Sequence, residues 1–326
     1  ENMLDTLGEM SRTDLYSYLK EWEQLTPLPF YSIGEPELTK VVNKGGEEFF
    51  VLKVLVSNNS DYDGIIQMNV LQNGWWYQPM EDPRARKKVE IAAHTSKEFV
   101  SVWEEQIRDV EINTMVSGNL PYMIRQSIGN VKQERNKIVK DTIYTLPESS
   151  LEMPGEVIVD NEDSTLFVLS TPAVVGLLPK WLDKVEDTSF KYSGISWWRA
   201  PLQWTATTNA KYYGKYIRSA YVIKSGDGSQ TATWKIPVPE AGQYELYYHV
   251  FKDDELRWND RLQGEYHFRV AYDSEMEDAY INLRKANEGW EQLGTYYFSA
   301  DTVRVMLTDE CKLRSVTADA VKIVKR

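Results

Sequence analysis

Three histidines, three acidic clusters and a set of loop aromatics are the residues of this chain whose types and spacing could do chemistry. The histidines stand in "AAHTS" (His94), "YYHVF" (His249) and "EYHFRV" (His267). None is followed by Glu with a second His four residues on, so the helix that holds zinc in metalloproteases is absent. No Gly-x-Ser-x-Gly elbow, phosphate-cradling glycine loop or dinucleotide-binding turn occurs either. His249 and His267 fall inside alternating segments and read as sheet histidines with satisfied partners. The acidic clusters are "DNED" at 160–163, "KDDE" at 252–255 and "EMED" at 275–278. Paired carboxylates of this kind serve as acid and base in glycoside cleavage. In a chain with 49 acidic and 37 basic residues, they read instead as solvated turns. The expectation is a chain without catalytic machinery of its own.

Binding chemistry is better represented. "SGISWWRAPLQW" puts Trp197, Trp198, Arg199 and Trp204 in a Gly- and Pro-containing segment, and "NAKYYGKY" adds Tyr212 and Tyr213. The charged stretch "KDDELRWNDR" carries Trp258 beside Asp260. Indole and phenol rings stack on the C–H faces of sugars while Arg and Asp bond to hydroxyls, so Trp197, Trp198, Arg199, Tyr212, Tyr213, Trp258 and Asp260 are carbohydrate-binding candidates. The competing reading is that Trp197 and Trp198 pin a long loop onto the fold. Trp204 and Trp234 are expected in a core. Trp290, in "NEGWEQLGTYYF", is expected to anchor the core ahead of the strand that Tyr297 opens, with Gly294 as a backbone kink.

Composition narrows the partners. The net charge of −12 repels a nucleic-acid backbone, and nucleic acid is excluded as a partner. The single cysteine, Cys311, allows no internal disulfide. No run of 18 apolar residues appears, and a first residue of Glu rather than Met suggests a processed protein or a piece of a longer one.

The elements that must position these residues are mostly strands, as an aromatic share of 12% suggests. "SRTDLYSYLKEWEQL" has helical spacing and predicts one amphipathic helix over 12–25, stopped by "TPLP". From Phe30 the period is two. "EEFFVLKVLVSNN" and "IIQMNVLQ", separated by "DYDG", read as a hairpin, and four further strands reach residue 146. "PESSLEMPGE" has linker composition. Beyond it come "EVIVDNEDSTLFVLS", a short helix in "VVGLLPKWLDKV", and strands from "QTATWKIPV" to "ADAVKIVK". The predicted fold class is mainly β. A helix or stalk (1–26) precedes an Ig-like β-sandwich (27–150), and a jelly-roll sandwich (151–326) follows.

The ordered pieces "EVIVDNED", "WRAPLQWTATTNAKYYGKY", "TATWKIPVPEAGQYELYYHV", "GWEQLGTYYF" and "TADAVKIVKR" resemble the golvesin and xanthan-lyase C-terminal domain over residues 156–326. That resemblance implies a galactose-binding-like jelly roll that binds carbohydrate, with a glycan or cell-surface polysaccharide as partner. It also implies a structural calcium, for which Asp160, Glu162 and Asp319 are the positions, against the reading that Asp160 to Asp163 cap turns and Asp319 accepts backbone hydrogen bonds; no other cofactor is expected. "LYSYLKEWEQLTPLPF" and "DYDGIIQMNV", within 11–72, are similar to the stalk after a zinc aminopeptidase-like domain in large bacterial membrane proteins. This second resemblance implies an extracytoplasmic segment of a longer, membrane-anchored protein, with its other domains as partners. The alternative to glycan binding is then a structural or protein-interaction appendage.

Overall fold

Several strands bury every second residue, as period-two sequences do when one face meets a core. The computed structural model describes residues 28–71, 82–129, 131–135, 139–148, 151, 155–170, 191–192, 200–252 and 264–326. The helices expected over 12–25 and 174–185 lie outside the described residues. Among those residues the only helical element is a 3-10 turn, Pro83–Ala85, where Asp82 accepts a bond from the Arg84 N–H. No helix among them is long and apolar enough to cross a membrane. The chain is mainly β and divides into two compact units that part at residue 150, with 123–126 grouping with the second.

The first unit holds β1 (Tyr31–Ile33), β2 (Glu37–Val42), β3 (Glu48–Asn58), β4 (Gly64–Leu71) and β5 (Arg86–Ile91). β6 (Thr95–Trp103), β7 (Asp109–Asn113), β9 (Val131–Arg135) and β10 (Thr142–Pro147) follow, and β8 (Met123–Ser127), between β7 and β9 in the chain, groups with the second unit except for Ser127. One sheet runs β10-β6-β3-β2-β9 with β1 also on β3, and the other runs β5-β4-β7-β8. Leu52, Val54, Val56, Phe99 and Trp103 from the first meet Ile66, Met68, Val70, Val110 and Ile112 from the second. The expected hairpin between β3 and β4 is therefore corrected: the two strands lie in different sheets. Alternation tells which residues face a core but not which strand is the neighbour. The buried Asn58 ends β3 and donates to Tyr62 O at 2.7 Å and Ile91 O at 3.0 Å. These bonds turn the chain across the sandwich rather than back along its own edge.

In the second unit β11 (Glu156–Asp160), β22 (Ala320–Lys325), β16 (Gly242–Val250) and β19 (Gly289–Phe298) form a four-stranded sheet in that order. A five-stranded sheet runs β12 (Phe167–Leu169), β15 (Thr231–Pro237), β20 (Thr302–Thr308), β17 (Glu265–Tyr272), β18 (Glu275–Asn282). A third runs β13 (Thr205–Thr208), β14 (Ser219–Lys224), β21 (Ser315–Ala318). One apolar core joins them: Tyr244, Leu246, Tyr248, Phe298 and Val321 from the first sheet, Trp234, Phe268, Val270, Val305 and Leu307 from the second, and Ile223, Val316 and Ala318 from the third. Trp234, Tyr244, Tyr248, Phe268 and Phe298 are each fully buried. Truncating any one to alanine would cost roughly 3–5 kcal/mol.

Candidate functional site

Two outward faces of the second unit carry polar and aromatic side chains. On the four-stranded sheet, β16 turns Glu245, Tyr247 and His249 away from the core while Tyr244, Leu246, Tyr248 and Val250 fill it. His249 is the cross-strand partner of Trp290, and their rings meet edge-on with centroids 5.1 Å apart. Tyr213 closes on both, 5.1 Å from the Trp290 ring and 5.8 Å from the His249 ring. Lys322 Nζ lies 4.9 Å over Trp290 and 5.4 Å over Tyr247, and pairs with Glu156 Oε1 at 2.9 Å. Trp290 is thus engaged by three neighbours and half-buried.

Beneath this corner lies Asp319, fully buried. Its Oδ2 is 2.8 Å from His249 Nδ1, and both carboxylate oxygens accept from the Tyr213 N–H. Burial pushes its pKa up, and the charge and hydrogen bond of His249 oppose that shift. Asp160 is pushed well above the ordinary carboxylate range, first by burial and then by the charge of Asp319. The group is an internally paired junction around the buried Asp319 that fixes the 209–213 turn to β16.

The metal expected at Asp160, Glu162 and Asp319 can be tested against these partners. Glu162 Oε2 accepts from Lys191 at 2.7 Å and Tyr192 at 3.0 Å, while Oε1 accepts from the Ser219 hydroxyl. Its oxygens are therefore committed away from the Asp160–Asp319 pair. Among the described residues no three metal-ligating side chains converge. Calcium takes six to eight oxygens, and this arrangement does not fit it.

The outer face of the five-stranded sheet is open. His267 and Tyr280 are cross-strand partners whose rings stack almost parallel, 4.9 Å apart with 9° between planes. His267 is held on both sides: Nε2 is 2.8 Å from Asp278 Oδ1 and Nδ1 3.2 Å from Glu310 Oε2. Tyr280, backed by this fixed imidazole, remains 58% exposed. One row along, Arg269 faces Asp278 and Met306; in the next, Arg304 faces Lys235 and Ala271. Exposed Val168 and Met276 flank the same face. An exposed aromatic platform beside forked donors can stack on a sugar ring and bond to its substituents.

The sequence candidates map unevenly onto these faces. Trp197, Trp198, Arg199, Trp258 and Asp260 lie outside the described residues. Tyr212 is only 5% exposed and packs edge-on against Phe251 at 4.7 Å, so it supports the corner from inside. Tyr213 belongs to the Trp290 junction. Trp234 is buried and donates from Nε1 to Asp319 O at 3.3 Å, and Trp204 is half-buried against the same core. The reading of Trp290 as a core anchor needs correction, because β19 begins at Gly289 and presents Trp290 on the outer face beside His249. It secures the fold from outside the core. Gly294 does stand at an irregularity, a register shift opposite Leu246 and Tyr247. Tyr280 is the residue that sequence reasoning misses. The outward position of "Y" in "EDAYIN" is legible from alternation, but its stack on His267 depends on strand register.

Residues 197–325 match the family model of the Golvesin C-terminal domain, so the match begins inside the span 156–326 that carries the resemblance. No curated protein sequence matches the chain. Among solved structures, a Paenibacillus xanthan lyase is similar over 92% of this chain and 27% of its own, at 17% identity and a TM-score of 0.37. A Bacteroides uniformis β-glucuronidase is similar over 89% of this chain and 30% of its own, at 11% identity and a TM-score of 0.24. This chain thus spans between a quarter and a third of the length of either.

Proposed function

We propose that the second unit is a non-catalytic glycan-binding module that works outside the cytoplasm, attached to a longer membrane-anchored protein. The observation that carries this reading is the Tyr280 ring, held flat on a histidine that two carboxylates fix, with its outer face open to solvent. A ring already immobilised loses little conformational freedom when a sugar stacks on it. The Golvesin C-terminal match supports the same reading. Trp197, Trp198 and Arg199, and Trp258 with Asp260, are proposed as further contacts from the loops. A broad glycan array probed with the chain tests this: binding to a subset of glycans is expected, weakened about tenfold in Tyr280→Ala. Absence of binding across the array would refute it.

For the first unit a protein-contact role is favoured by one feature. Among the described residues the sheet ends on β10, whose Ile143, Tyr144 and Leu146 are all exposed. An outermost strand with apolar side chains is a template for strand addition. Replacing Tyr144 by Lys should then abolish capture of the partner in chemical cross-linking of the full-length protein. Unchanged cross-links would count against the role.

A further inference from the structure

The charges around Tyr280 say what kind of glycan the face is built for. Lys235 on β15 and Arg304 on β20 are direct cross-strand partners. On β17, Ala271 faces Arg304 and Arg269 lies two residues along the same strand, so three cations occupy three adjacent strands. Like charges placed directly opposite each other on a sheet are destabilising. Among the described residues no carboxylate pairs with Lys235 or Arg304, although the chain carries 49 acidic residues against 37 basic. Arg269 is partly compensated, its Nε lying 3.9 Å from Asp278 Oδ1, but that oxygen also holds His267.

We infer that the ligand of this face is an acidic polysaccharide, its carboxylates meeting Lys235, Arg304 and Arg269 while a sugar ring stacks on Tyr280; this rests on the glycan-binding reading above. Three strand spacings separate β15 from β18, roughly 14 Å, which suits a short run of sugars rather than a single anion. Guanidinium groups suit carboxylates because their paired N–H donors match the two oxygens. Exposed Val168 and Met276, with Met306 between the strands, give apolar surface for C–H faces. Nucleic acid is disfavoured because its dense charge needs many cations, and here Asp278 and Glu310 stand beside the aromatic platform.

The test measures binding of the chain to polygalacturonate, neutral dextran and an oligothymidylate by affinity electrophoresis at low and high salt. Polygalacturonate should bind at low salt and weaken by about tenfold or more at 0.5 M NaCl, because exposed charges are screened. Lys235→Gln with Arg304→Gln should weaken polygalacturonate by about tenfold, with an unchanged or higher melting temperature as the folding control. Binding to dextran, or to array glycans, without binding to polygalacturonate overturns the inference and leaves the glycan-binding reading standing. Binding to no glycan of either charge overturns both. Oligothymidylate binding as tight as polygalacturonate, or indifference to the double substitution, also overturns the inference.

Discussion

Replacing Lys235 by Glu should make this protein more stable and a poorer ligand binder at the same time. Lys235, half-buried, and Arg304, exposed, face each other across β15 and β20 on the outer face of the sheet. The substitution removes a like-charge contact and creates an opposite-charge one. Each change is worth roughly 0.2–1 kcal/mol for directly opposed residues, so the sum is about 0.4–2 kcal/mol. For a unit of this size that is a rise in Tm of roughly 1–8 °C. Calorimetric melting at low salt should show the rise, and 1 M NaCl should shrink it, since the screening length there is about 3 Å. In an Arg304→Gln background most of the gain should vanish, the signature of a pairwise contact. A fall in Tm, or an equal rise in both salts and both backgrounds, would refute the reasoning that this pair is held at a cost for binding.

Further outcomes follow from the buried and paired groups. His94 Nε2 and Nδ1 lie 2.8 and 2.7 Å from Asp61 and Glu148, and those hydrogen bonds raise its pKa above 6.5. The stability they supply is present below the unfolded value and lost as pH rises through the folded one. NMR titration should give a raised His94 midpoint that returns towards 6.5 in Asp61→Asn/Glu148→Gln. Burial and Asp319 raise Asp160 well above 3.8, so its contribution is full below that pH and is lost as pH rises through the folded-state value. Asp160→Asn should therefore melt higher than the parent at pH 8, with the gap closing near pH 4; a lower Tm at pH 8 would contradict this. Trp290→Ala strips the rings of Tyr213 and His249 of their neighbour and should cost roughly 2–4 kcal/mol by denaturant unfolding. A change within 0.5 kcal/mol would mean that the corner is not structural.

Residue order reveals face, not partnership. "QYELYYHV" shows both its buried and its outward set by alternation, and the acidic composition by itself argues against nucleic acid. "EEFFVLKVLVSNN" and "IIQMNVLQ" mislead because two strands that share a core alternate identically whether they pair or face each other across it. The same limit hides Tyr280. Its position opposite His267 is set by the register of the β17–β18 hairpin, and the cations beside it, Lys235 with Arg304 in one row and Arg269 in the next, come together through pairings between strands far apart in sequence. Trp290 looks like a core residue because tryptophans usually are; only the start of β19 at Gly289 turns it outward. Asp160 and Asp319 lie near enough for the charge of one to raise the pKa of the other. Glu162, however, is drawn off by Lys191, Tyr192 and Ser219, side chains whose proximity no spacing announces.

Glycan binding by the fixed, exposed Tyr280 face is the proposal on which the acidic-polysaccharide reading also depends. Isothermal titration of the chain with neutral and acidic oligosaccharides, parent against Tyr280→Ala, addresses it directly. A saturable heat that drops about tenfold in affinity with the ring removed, and no cleavage of the titrant, is the predicted result. Titrations without heat for every oligosaccharide, or binding that Tyr280→Ala leaves intact, would contradict it.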